Sequence, residues 1–179
     1  MKNLIYPLIA LLLIVVQSCE TEIPETDGTP PQFTFRITGD SFDYTFDQDD
    51  DYESILLNLK NGTSYNFIYT GSDDGGVKTI QWQIPPSNYI EFGSAINSPW
   101  TIRDSPPSKI IEWQGNINNP LTGNILVGNF EALGEAVRVN FYFFVRNFSG
   151  VNTSNAVSKR LRINIDNHNS TEIVEFINP

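Results

Sequence analysis

Apolar and polar residues alternate along this chain in one segment after another, and Gly, Pro, Asn and Asp separate the segments. A period of two sends successive side chains to opposite faces of a strand, so the pattern predicts half-buried β-strands. No apolar stripe of helical spacing competes with it from residue 32 onward. The longest instance puts Val137, Val139, Phe141, Phe143 and Val145 on one face of an eleven-residue strand. The next has Val157, Leu161, Ile163 and Ile165 on one side, with Ser158, Arg160, Arg162 and Asn164 on the other. The segment between them, Asn147 to Asn155, is rich in Asn, Ser and Gly, which predicts a hairpin with a long loop. Shorter strands are expected at Phe33/Phe35/Ile37, Phe42/Tyr44/Phe46, Tyr65/Phe67/Tyr69 and Ile80/Trp82/Ile84. Weaker ones are expected at Ile110–Trp113 and Ile125–Val127. Short strands punctuated in this way predict an all-β fold, a single antiparallel β-sandwich. A domain of about 145 residues buries roughly two-thirds of its unfolded surface, enough for one core without staples.

Composition removes several alternatives. One Cys excludes an internal disulfide, and one Cys with one His excludes a four-ligand structural zinc site. The net charge of −10 argues against nucleic acid, whose phosphates demand clustered Lys and Arg. The charge is uneven. Residues 20–74 carry 13 acidic and 2 basic residues, whereas residues 75–179 carry 8 of each.

The first segment reads as an address. Lys2 precedes an apolar run from Leu4 to Val16, 13 residues, against the roughly 20 that a spanning helix needs. A basic start, a short apolar core and small residues at its boundary fit a secretory signal over residues 1–18. The boundary falls on the only Cys, and Val16-Gln17-Ser18-Cys19 resembles a bacterial lipobox. That resemblance implies cleavage before Cys19 and lipidation of its thiol. Two or more acyl chains, at about 0.8 kcal/mol per buried CH₂, then hold a protein on a membrane. Residues 19–31 follow as an acidic, Pro-rich tether. Its Glu20 and Glu22 resemble the surface-export signal of Bacteroidota lipoproteins, which implies an outer-membrane anchor with display at the cell surface; a periplasm-facing position is the alternative.

The remaining residues, 32–179, form the predicted domain. Pro30-Pro31-Gln32-Phe33-Thr34-Phe35 resembles the opening strand of bacterial immunoglobulin-like domains. Gly71-Ser72-Asp73-Asp74-Gly75-Gly76-Val77, leading to Trp82, is similar to the turn before their Trp-bearing strand, which implies a core role for Trp82. The stretch Tyr142 to Ile165 resembles their last hairpin, with Asn147 where that pattern has Asp.

Candidate chemistry is sparse. Pro85-Pro86, Pro99, Pro106-Pro107 and Pro120 break up residues 85–124, so edge strands and loops are expected there, and with them a functional surface. Tyr89, Trp100 and Trp113 lie in that stretch and are candidates for stacking against sugar rings; Trp113 between Ile111 and Gly115 also suits a core. Asp47, Asp49 and Asp51 belong to an acidic run able to supply oxygens to calcium, or simply to water. The EF-hand register fails, because Tyr52 stands where Gly is needed and Asn58 where the bidentate Glu is needed. Arg138, Arg146, Arg160 and Arg162 fall on the non-core face of the last hairpin and are candidates for an acidic partner. His168 sits in an Asn-rich turn with no nucleophile elbow to serve.

The expectation is a non-catalytic envelope lipoprotein with an adhesion or scaffold role towards a protein partner. A carbohydrate-binding accessory of a polysaccharide-uptake system is the alternative. No cofactor is expected beyond calcium at the acidic run. Replacing Cys19 by Ala is expected to abolish palmitate labelling and to release the protein from membranes, read by metabolic labelling and fractionation; unchanged labelling refutes lipidation.

Overall fold

Twelve strands account for the alternating segments in the computed structural model, which describes residues 29–148 and 155–176. The leader 1–18, Cys19 and tether residues 20–28 lie outside the described residues, as does 149–154 of the long hairpin loop. In chain order the strands are β1 (Gln32–Gly39), β2 (Phe42–Asp47), β3 (Ile55–Lys60), β4 (Thr63–Ser72), β5 (Val77–Ile84) and β6 (Ile90–Phe92). They continue with β7 (Thr101–Ser105), β8 (Ser108–Gln114), β9 (Gly123–Ala132), β10 (Val137–Asn147), β11 (Ala156–Asp166) and β12 (Glu172–Glu175). Two sheets result, ordered β2-β1-β4-β9-β6 and β12-β3-β11-β10-β5-β8-β7. Every pairing is antiparallel except that of β3 with β11. The chain is an all-β sandwich.

Period two decides which face each strand buries. Phe33, Phe35 and Ile37 of β1 point inward, as do Tyr65, Phe67 and Tyr69 of β4, and all six are buried. From the facing sheet come Ile80, Trp82 and Ile84 of β5, Phe141, Phe143 and Val145 of β10, and Leu161, Ile163 and Ile165 of β11. Trp82 lies where the two sets meet. Its ring centroid is 4.8 Å from Phe67, 5.1 Å from Phe35, 5.0 Å from Phe141 and 5.8 Å from Phe92, mostly edge-on or tilted. Such pairs add about 0.5–1.5 kcal/mol each beyond area burial. The indole N–H has no acceptor among the described residues, a cost of about 1–3 kcal/mol that the ring contacts offset.

Turn chemistry closes the strands where it is needed. Asp40 and Ser41 both have positive φ (51° and 61°), the two-residue turn that matches the twist of a hairpin between β1 and β2. Asp40 then accepts from the Thr171 backbone N–H at 2.7 Å and its hydroxyl at 3.1 Å. Thr171 in turn shares a hydrogen bond with the buried Tyr65 hydroxyl, so this end of the sandwich is tied across both sheets. At the other end Gly71 lets the sheets close in, since a Cβ there would lie 2.8 Å from Ile80 Cγ1.

The stretch from 85 to 124 is more regular than expected. Its prolines all fall in connections, so β8 forms between β5 and β7 and is interior to its sheet, and β6 and β7 are short edge strands. The segment expected at Ile125–Val127 is a ten-residue interior strand, β9. Its polar and glycine positions hid it.

Tyr69 is a buried phenol whose hydroxyl donates to the Gln81 carbonyl at 3.0 Å, and burial pushes its ionisation well above the ordinary value near 10. A folded state that keeps Tyr69 neutral holds its full stability below pH about 10 and loses it as the pH climbs and the unfolded chain ionises. Tyr69→Phe is expected to lower the urea midpoint at neutral pH, by about 1 kcal/mol for the lost bond, while flattening the alkaline decline. An unchanged slope between pH about 9 and 11 refutes this.

Candidate functional site

Strand polarity sorts the loops into two poles. Thr29–Gln32, the acidic run 47–53, the 72–77 turn and the 147–155 loop ends gather at one, here the tether pole. The β1–β2 and β3–β4 turns lie at the far pole. Between the poles are the two outward sheet faces.

At the tether pole the acidic run folds on itself. Asp47 Oδ1 accepts the Asp49 N–H at 2.8 Å, Asp50 Oδ2 accepts the Asp47 N–H at 2.9 Å, and Asp51 Oδ1 accepts the Glu53 N–H at 3.2 Å. Short acidic side chains thus supply the hydrogen bonds of the turn itself. Tyr52 plugs the loop into the core beside Phe33 and Phe46 and donates to the Asp47 carbonyl at 2.7 Å. Asp47, Asp49 and Asp51 therefore bond turn backbone and a neighbouring amide rather than facing a common point. Among the described residues no group of three or more Asp, Glu, His or Cys converges on a metal position.

The same pole fixes the start of the domain. Asn147, buried at the end of β10, donates to the Thr29 carbonyl at 3.3 Å and to Asp73 Oδ2 at 3.0 Å. Asn155 also donates to the Thr29 carbonyl at 3.3 Å, and Asp73 Oδ1 accepts the Gly75 N–H at 3.0 Å. Asn147 is thus a clamp on the incoming chain.

The aromatic candidates of the middle are placed differently from one another. Trp100, just before β7, and Trp113, on the interior strand β8, are each 5% exposed. Trp100 Nε1 donates to the Ile125 carbonyl at 3.0 Å, fastening the β6–β7 crossover to β9. Their rings pack in the core, so neither offers a face to a sugar; Tyr89 is half-buried against the core. The crossover does leave an open groove of about 340 Å³ walled by Ile84, Ile90, Phe92, Ile96 and Ile102, with Lys109 beside them.

The arginine candidates do share a face, and sequence alternation also puts aromatic rings there. Outward positions of β10 are Arg138, Asn140, Tyr142, Phe144 and Arg146. Tyr142 is flanked by Arg160 of β11 and Gln83 of β5, and Phe144 by Ser158 and Gln81. Gln81 bonds Glu112, which lies 3.7 Å from Arg103. Arg160 and Arg162 both reach the Glu53 carboxylate, at 3.4 and 3.3 Å. The Arg146 guanidinium lies over the Phe144 ring at 5.4 Å, and its Nε has no hydrogen-bond partner among the described residues. No ion pair among the described residues engages Arg138 or Arg146. The role of Tyr142 and Phe144 was hidden in the sequence because their polar-face position breaks the apolar-in rule while the strand's other face satisfies it.

The five-stranded sheet shows a different outward face. Arg36, Ile68 and Val127 stand in one cross-strand row and Thr34, Thr70 and Ile125 in the next. Val127 is 63% exposed and Ile125 53%. Arg36 is already engaged by Asp43 at 2.6 Å, and that hydrogen bond holds the Asp43 carboxyl below its ordinary range. A shallow cavity of about 330 Å³ lies over Arg36, Thr38, Asn66, Ile68 and Val127. His168, the remaining candidate, bonds Asn164 at 3.0 Å within a chain of amides running through Asn58 to Glu172.

No protein-family model and no curated protein matches the chain.

Asn147→Ala is expected to destabilise the domain by about 1–3 kcal/mol, because it leaves the buried Asp73 carboxylate without that donor. Asn155→Ala, at an exposed bond, is expected to cost under about 0.5 kcal/mol. Equal denaturation midpoints for the two variants refute the clamp.

Proposed function

We propose that this protein is a lipid-anchored, non-catalytic interaction module of the bacterial envelope, held at Cys19 and docking a protein partner through the outer face of its five-stranded sheet. The observation that carries the reading is the set of β-branched side chains Ile68, Val127 and Ile125, which spans two adjacent cross-strand rows on a sheet face rather than in the core. Contiguous exposed apolar surface of this kind marks interaction sites. The chemistry of the face selects its occupant. Its one arginine is neutralised by Asp43, and Thr34 and Thr70 hydroxyls bond each other at 2.7 Å, so the polar groups in the two rows that hold the apolar side chains are already engaged. A protein presenting an uncharged, flat, apolar surface fits. The acidic tether and tether pole support an orientation in which like charge keeps this pole off an anionic lipid surface and leaves the sheet faces accessible.

A photo-crosslinking residue at position 127, expressed in the native host, is expected to capture one defined envelope protein. Val127→Glu in the purified pair is expected to weaken binding on the order of tenfold, about 1.4 kcal/mol. Adducts only between two copies of this chain, or an affinity unmoved by the substitution, overturn the reading.

A further inference from the structure

The outer face of the seven-stranded sheet carries chemistry that the docking face lacks. Along β10 the outward residues run Arg138, Asn140, Tyr142, Phe144, Arg146, with cations at both ends and two rings between. At about 3.4 Å per residue the two arginines stand about 27 Å apart along the strand. The flanking strands add Arg160, Gln83 and Gln81 level with the rings.

We propose that this stripe binds a carboxylate-bearing polysaccharide, a polymer of uronic acids, lying along β10. Three features select that chemistry. First, Tyr142 is 38% exposed in the middle of an open, flat face, a platform on which the C–H side of a pyranose ring packs. Second, the amides of Gln83 and Asn140 lie beside that platform, donors and acceptors suited to ring hydroxyls. Third, Arg138 and Arg146 have no acidic partner among the described residues, and a guanidinium fork matches a carboxylate in a bidentate manner. Arg146 is also held in place, its guanidinium lying over the Phe144 ring at 5.4 Å.

An acidic peptide fits less well. Extended peptides gain affinity by adding to an open sheet edge, and β10 is paired on both sides, by β11 and β5. A neutral glycan would leave the two arginines unanswered. A nucleic acid concentrates charge too densely for a chain of net −10. The proposal stands on a different sheet from the docking reading, so either can fail alone.

The test uses the soluble domain from residue 19 onward with Cys19 replaced by Ser, titrated with three probes: polygalacturonate, the same polymer fully methyl-esterified, and poly-L-glutamate. Polygalacturonate is expected to bind, with affinity falling as salt rises. The methyl ester and poly-L-glutamate are expected to bind at least tenfold more weakly, the first for want of charge and the second for want of rings. Tyr142→Ala, Arg138→Gln and Arg146→Gln are each expected to lower polygalacturonate affinity on the order of tenfold with melting temperatures kept. Arg146→Lys, which keeps the charge and loses the fork, is expected to fall between wild type and Arg146→Gln, and it serves if the glutamine variant does not fold. No binding of polygalacturonate, equal binding of its ester or of poly-L-glutamate, or affinity unmoved by these substitutions overturns the proposal.

Discussion

Everything in this fold hangs on a cluster of aromatic rings that joins two sheets with no disulfide between them. Phe35 and Phe67 from one sheet and Phe141 and Phe143 from the other all contact Trp82 or one another within about 6.5 Å. Antibody domains join their two sheets with a disulfide. Here ring packing does that work, and its geometry fixes the spacing of the sheets. The spacing explains Gly71, which makes room for Ile80, and the burial of Tyr69, whose hydroxyl finds main-chain carbonyls across the gap.

The strands with clean alternation were legible from residues alone. Phe33/Phe35/Ile37 and Tyr65/Phe67/Tyr69 each bury the side that the pattern names, and so does Trp82. The interior strand β9 was not fully legible, because Asn124, Gly128 and Asn129 interrupt its apolar positions and only its register against β4 reveals it. Nor was the parallel pairing of β3 with β11, which depends on sheet order and leaves no local trace. At the level of sites the signal was mixed. The arginines were placed on the correct face because alternation fixes parity. The tryptophans were nominated on composition, and composition carries no information about which way a ring turns. The acidic run looked like a ligand set because carboxylates that cap turns and carboxylates that hold ions use the same residues.

The two outward faces divide the labour that a single acidic composition conceals. One presents β-branched side chains around an ion pair already closed, the other guanidinium groups and aromatic rings. Acidity is concentrated elsewhere, in residues 20–74, much of it at the pole where the chain enters.

The clamp of Asn147 and Asn155 on the Thr29 carbonyl also has a mechanical side. A pull arriving along the preceding chain meets the clamp first and then β1, which is paired on one edge with β2 and on the other with β4. Such a pull runs along the strand, so the ladders on both edges are loaded in shear and their hydrogen bonds share the force rather than opening one by one.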